Sequence, residues 1–145
     1  MLIKDKSEAF LILNFLKFYL MNGNKNISEN LIRQSFSKIK KIKKTNPISI
    51  FCSSVEIVKP FCEIKKLKIG GSNYKVPTEI HPMRQRVLAI KFLVSNSIKR
   101  NEKSASQRIA MEILDTFSLS SQSIKNCDDV HKIAEANKVY IQYRN

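Results

Sequence analysis

The spacing of apolar residues predicts helices in the first third of the chain. The segment FLILNFLKFYLM is apolar almost all round, which indicates a largely buried helix with Ser7 as its N-cap. A second helix is predicted from Ser28 onward, because apolar residues then recur at helical spacing. Asn46 and Pro47 are typical of a cap and a first helical turn, so they predict the start of a third helix.

The pattern changes to strand-like alternation at about residues 62–80. The pair Gly70-Gly71 is typical of the two-residue turn of a β-hairpin. In the first strand Ile64 and Leu67 have opposite parity, which predicts a bulge or a twist and leaves the register of the two strands open. Because Pro77 disfavours a central strand, we expect a protruding two-stranded arm.

Helical spacing returns after Pro82. The segment MRQRVLAIKFLVSNSIKR is apolar over a wide arc, which predicts a central core helix. Ser104 is the predicted cap of the next helix, and after a polar loop a last helix is predicted to begin at Asn126 or Asp128. The whole chain of 145 residues is therefore predicted to be one mainly α domain with five to six helices and one protruding β-hairpin.

The net charge of the chain indicates the kind of partner that it binds. It carries 26 Lys and Arg against 12 Asp and Glu, for a net charge of +14. Self-repulsion destabilises such a domain unless a polyanion neutralises it, so nucleic acid is the first candidate partner and an anionic membrane surface the second. The apolar first segment is too short to span a bilayer, and we expect no membrane partner.

Candidate catalytic and metal-binding chemistry is sparse. His81 and His131 lie in no recognisable nucleophile motif. Cys127 and His131 are spaced like a metal pair on a helix, but two ligands without others favour a structural role. The odd number of cysteines indicates a reducing compartment. We therefore expect no enzyme activity, no metal and no cofactor.

Basic residues on several elements predict contacts with RNA phosphates. Lysines flank the hairpin tip, where Gly70 and Gly71 permit a tight turn that can enter a groove. Tyr74 is expected either to stack on a base or to pack across the strands. Four arginines are suited to bidentate phosphate contacts, although Arg108 is equally consistent with a solvated outer face. The predicted RNA-binding residues are Lys25, Lys41, Lys65, Lys66, Lys68, Gly70, Gly71, Tyr74, Lys75, Arg84, Arg86, Lys91, Lys99, Arg100, Lys103, Arg108, Lys138, Tyr143 and Arg144.

Three segments in a fixed order carry a family resemblance. They are VKPFCEIKKLKIGGSNYKVPTEI, RQRVLAIKFLVSNSIKR and the C-terminal VHKIAEANKVYIQYRN. In this order they resemble the family of small-subunit ribosomal protein seven, of the bacterial and organellar type. Lys91 and Phe92 stand where that family usually has Arg-Trp, which removes the planar fork of an arginine. The basic N-terminal arm of the family is nearly absent here, so one RNA contact is expected to be lost or supplied by another molecule.

The resemblance implies a function as well as a fold. Members of the family bind the 3′ major domain of small-subunit ribosomal RNA and nucleate assembly of the subunit head. Their hairpin lies near the exit-site transfer RNA, and small-subunit ribosomal proteins nine and eleven are neighbours. They are not enzymes. A free RNA chaperone or regulator that uses the same basic surface is the alternative.

Composition suggests where the chain is made. It is rich in Ile, Lys, Asn and Ser and poor in Gly, Ala and Arg, as expected of an AT-rich gene. No cleavable targeting peptide is visible in the sequence. The predicted location is therefore a mitochondrial ribosome, with a plastid or the cytoplasm of an AT-rich bacterium as alternatives.

Overall fold

Six α-helices, one C-terminal 3₁₀ helix and one β-hairpin make up the described part of the chain. The computed structural model describes residues 6–20 and 23–143. The hairpin lies between the third and fourth helices, and the predicted mainly α fold is confirmed. In chain order the elements are α1 (Lys6–Tyr19), α2 (Lys25–Lys43), α3 (Pro47–Ile57), β1 (Cys62–Ile69), β2 (Ser72–Glu79), α4 (Pro82–Lys99), α5 (Ala105–Phe117), α6 (Gln122–Ala136) and the 3₁₀ helix (Lys138–Tyr143).

The core is one cluster of apolar side chains with aromatic rings at its centre. Phe51 of α3 is fully buried, and its ring centroid lies 4.9 Å from that of Phe15 and 5.8 Å from that of Phe36. Ile90 and Leu93 of α4 belong to the same cluster, and α4 packs against α1, α3, α5 and α6. The prediction that α4 is the central core helix is therefore confirmed. Within the described ranges, no helix has the length and apolarity that crossing a bilayer requires.

Local cap chemistry predicted some helix starts correctly and others wrongly. The Oδ1 of Asn46 accepts a hydrogen bond from the backbone N–H of Ile48 at 3.1 Å, which confirms the cap of α3. Ser7 lies inside α1 and does not cap it. Ser28 lies inside α2, and its hydroxyl donates to the carbonyl of Tyr19 at 3.0 Å. Ser28 thus satisfies a carbonyl at the end of α1 and is not the N-cap of α2.

The start of α6 was also predicted wrongly. This helix begins at Gln122 rather than at Asn126 or Asp128, and its N-cap Ser121 accepts from the N–H of Ile124. The polar segment that resembled a loop forms the first turn of this helix, and Ser123 within that turn is fully inaccessible to solvent. Ser123 can be buried because it forms hydrogen bonds with side chains of two other helices.

The hairpin is regular, and the predicted bulge is absent from it. Its strands pair without interruption from Cys62 opposite Glu79 to Ile69 opposite Ser72. Gly70 and Gly71 have φ values of 55° and 89°, and two positive φ angles are what a type I′ turn requires. The opposite parity of Ile64 and Leu67 therefore means that the two residues lie on opposite faces of the hairpin.

Candidate nucleic-acid interface

The two faces of the hairpin differ in chemistry toward its tip. On one face Lys66 lies directly opposite Lys75, and Lys68 lies opposite Asn73. These three lysines, the lysine face, are exposed. The regular alternation of the strands places them side by side, and none of them has an ion-pair partner among residues 6–20 and 23–143.

The opposite face of the hairpin is covered by the C-terminal 3₁₀ helix. The ring centroid of Tyr74 lies 5.0 Å from that of Tyr140 and 6.2 Å from that of Tyr143. Val76 on the same face is fully buried. Two of the predicted RNA-binding residues, Tyr74 and Tyr143, therefore contact each other. Lys65, paired with Val76, also lies on this face but is exposed.

Two contacts at its base hold the hairpin against the helices. The guanidinium of Arg84 donates from Nε and Nη2 to the two carboxylate oxygens of Glu63 in β1, at 3.3 and 3.4 Å. The backbone N–H of Phe61 donates to Nε2 of His131 at 3.1 Å, and the two rings stack. These contacts fix the direction in which the lysine face points. They also occupy Arg84, which the sequence predicted to bind phosphate.

Other predicted arginines also have partners within the protein. Arg86 donates from Nε to Glu56 at 3.1 Å. Glu56 accepts a second hydrogen bond from Lys59 at 2.7 Å, and this bond is the main cause of the lowered pKa of Glu56. Arg108 donates from Nη1 to the carbonyl of Ile98 at 3.4 Å. The side chains of Arg86 and Arg108 therefore each form a hydrogen bond within the protein.

Arg100 differs most from the sequence-based expectation, because three carboxylates surround it. Its guanidinium lies 2.8 Å from oxygens of Glu102, Glu112 and Asp115, an arrangement that we call the arginine network. Burial alone would lower the pKa of Arg100, but its three carboxylate partners outweigh this effect and raise the pKa. The hydrogen bond from Arg100 lowers the pKa of Glu102. Arg100 is thus paired inside the protein.

The arginine network continues into the interior. The side chain of Glu112 is 2% exposed, and its second oxygen accepts from the hydroxyl of Ser123 at 2.6 Å. Asn96 of α4 donates to Ser123, and Asn126 of α6 donates to Asn96, each at 3.1 Å. These polar groups join α4, α5 and α6 through hydrogen bonds that satisfy one another.

The remaining predicted cations are mostly exposed. Lys25 forms an ion pair of 3.5 Å with Glu29 in the first turn of α2. Arg144 lies outside the described residues. The exposed lysines without an ion pair in the described part of the chain are Lys41, Lys91, Lys99, Lys103 and Lys138.

Two cations of α2, Arg33 and Lys38, are not among the predicted RNA-binding residues. Arg33 and Lys38 line a surface depression together with Gln34, Ser37 and the predicted Lys41. The signal available in the sequence was the spacing of these residues by four positions, which places them on adjoining stripes of one helix.

The cysteines show no sign of reactive or metal-binding chemistry where the structure describes them. Burial raises the pKa of the Cys127 thiol to about 11, which disfavours the thiolate that metal binding requires. Cys52 and Cys62 are half-buried free thiols. Residues 6–20 and 23–143 contain no group of three His, Cys, Asp or Glu side chains able to hold a metal ion.

Known proteins are similar to this chain over nearly its whole length. The family described as ribosomal protein S7p/S5e matches residues 2–138. The chain belongs to this family. A relative from Syntrophus aciditrophicus (strain SB), named small ribosomal subunit protein uS7, is 38% identical over 96% of this chain and 89% of its own length. Proteins of the same name from Helicobacter hepaticus and Magnetococcus marinus are 36% and 35% identical, each over 92% of this chain and 86% of the relative.

Membership of the S7p/S5e family bears on two of the expectations, the family resemblance and the predicted location. The resemblance identified from the three motifs is confirmed, and the family is one of ribosomal components. The relatives named above are bacterial, so they lend no support to the predicted mitochondrial location.

Proposed function

We propose that this chain is a structural constituent of the small ribosomal subunit that binds the 3′ major domain of its ribosomal RNA. The observation that carries the proposal is the lysine face of the hairpin. Lys66 and Lys75 are directly opposite each other, and like charges in such cross-strand positions destabilise a sheet. A phosphate backbone against this face removes the repulsion and releases counterions from the RNA.

The anchoring of the hairpin supports the same proposal. The bond between Arg84 and Glu63, the contact of Phe61 with His131 and the packing of Tyr74 on the 3₁₀ helix each restrain one part of the arm. A restrained arm loses little conformational freedom on binding, so the contacts of the lysine face contribute more fully to affinity.

The finer parts of the proposal rest on the S7p/S5e family. The chain organises assembly of the subunit head, its hairpin lies near the exit-site transfer RNA, and small-subunit proteins nine and eleven are its neighbours. Its role is structural and not enzymatic. The amino-acid composition, which is that expected of an AT-rich gene, favours a mitochondrial ribosome, and a plastid or bacterial ribosome is the alternative.

Selective binding to small-subunit ribosomal RNA tests this function. We expect the purified chain to bind a transcript of the 3′ major domain at least about tenfold more tightly than a structured RNA of equal length, at about 0.15 M salt. Filter binding or fluorescence anisotropy measures both affinities. Equal affinity for the two RNAs would instead favour a free RNA chaperone or regulator, because backbone contacts alone carry no sequence information.

A further inference from the structure

A second basic surface lies on α2, away from the hairpin. Arg33, Gln34, Ser37, Lys38 and Lys41 line it, and we call it the basic groove. Helix α2 packs against α5, α3 and α1, whereas the hairpin packs against α6 and the C-terminal 3₁₀ helix. The basic groove and the lysine face therefore belong to different parts of the molecule.

We propose that the basic groove binds the phosphate backbone of a second segment of ribosomal RNA. This inference rests on the proposed function and adds a separate binding surface to it. No acidic residue lines the groove, and Arg33, Lys38 and Lys41 form no ion pair in the described part of the chain. The polar groups Gln34 and Ser37 between the cations are suited to additional hydrogen bonds with phosphate oxygens.

The helix dipole does not account for all of these cations. Lysines in the last turn of a helix are favoured by the partial negative charge there, which explains Lys41. This effect falls off within one turn, and Arg33 lies almost three turns before the end of α2 at Lys43. The helix dipole therefore does not explain Arg33, which extends the positive surface toward the middle of α2.

One cation of the basic groove is held in place by another helix. The ammonium of Lys38 donates to the hydroxyl of Ser106 in α5 at 2.8 Å, and Ser106 is also bonded to Ser104. Arg33 and Lys41 lie on either side, separated by about 12 Å along the helix axis. That separation places the two outer cations on different phosphates of one strand.

The double variant R33Q/K41Q tests the inference without disturbing Lys38. Loss of two phosphate contacts is expected to weaken binding to the 3′ major domain about 20-fold at about 0.15 M salt. The slope of log affinity against log salt is expected to become shallower by roughly 1.4–1.8. The matched control K17Q/K125Q removes the same charge from exposed sites on α1 and α6, and its affinity and slope are expected to remain near those of the wild type.

The outcomes separate this inference from the proposed function. If R33Q/K41Q binds like K17Q/K125Q with an unchanged salt slope, the basic groove does not bind RNA, while selective binding by the wild-type chain still supports the proposed function. If binding to naked RNA is unchanged but entry into ribosomal particles falls, the groove binds an acidic protein and the inference is wrong. If the wild-type chain shows no selectivity, the proposed function itself fails. Thermal unfolding of both variants verifies that each is folded.

Discussion

Replacing Arg100 by Ala is expected to lower the free energy of unfolding by about 3–5 kcal/mol. The substitution leaves the carboxylate of Glu112 buried without its cationic partner, and removing one member of a buried ion pair has this magnitude of effect. A domain of ordinary stability, about 5–15 kcal/mol, loses a large share of its stability in this way. Urea denaturation followed by circular dichroism measures the change.

A nearby arginine serves as the control for Arg100→Ala. Within residues 6–20 and 23–143, Arg108 donates only to the carbonyl of Ile98, at 3.4 Å, so Arg108→Ala is expected to cost no more than about 1 kcal/mol. The structural interpretation of Arg100 is wrong if Arg100→Ala unfolds like the wild type and loses only RNA affinity. That result would instead support the phosphate contact expected from the sequence.

The pH dependence of stability adds a second readout for the arginine network. Arg100 lowers the pKa of Glu102 from its usual 4.5, so this carboxylate binds a proton more readily in the unfolded chain. Its contribution is therefore present above the unfolded pKa and is lost as the pH falls through the lowered folded pKa. The difference in stability between the wild type and Arg100→Ala is expected to shrink below about pH 4.5.

The triple variant K66Q/K68Q/K75Q is expected to bind ribosomal RNA about 100-fold more weakly than the wild type. The estimate follows from the loss of three phosphate contacts at about 0.15 M salt, and the salt slope is expected to become shallower by roughly 2–3. Because Lys66 and Lys75 repel each other in the free protein, the variant is also expected to be as stable as the wild type or slightly more so. Anisotropy titrations at several salt concentrations, with parallel thermal unfolding, measure both effects.

A control with the same charge distinguishes the lysine face from net charge alone. The variant K17Q/K125Q/K132Q removes three exposed lysines that lie on α1 and α6, outside the hairpin and the basic groove. Its affinity is expected to remain within a few-fold of the wild type. If both triple variants lose affinity equally, binding follows the total charge of the chain and the lysine face has no special role.

The parts of the fold predicted correctly depend on neighbours along the chain. The Asn46-Pro47 cap and the Gly70-Gly71 turn each involve a few consecutive residues whose backbone preferences decide the structure. The central position of α4 followed from its wide apolar arc. In contrast, Ser28 bonds to a carbonyl of another helix, so its role is invisible from the residues beside it.

The candidate site was less predictable because long-range pairing decides which cations are free. Arg100 and Lys103 look alike in the sequence, but Glu112 and Asp115 lie one helix away and converge only on Arg100. Tyr74 is covered by Tyr140, and no local pattern signals that contact. The observed register of the hairpin places Lys66, Lys68 and Lys75 on one face and Lys65 on the other. The sequence could not make this assignment, because the expected bulge left the register open.

Sedimentation of a ribosome-containing extract tests the central claim most directly. Cells that express the chain are fractionated into organelles and cytosol, each fraction is resolved on a sucrose gradient, and the chain is detected with an antibody. We expect it to sediment with small subunits of one compartment and to leave those fractions after ribonuclease treatment. Recovery at the top of the gradient, or in particles that lack small-subunit ribosomal RNA, would contradict the account.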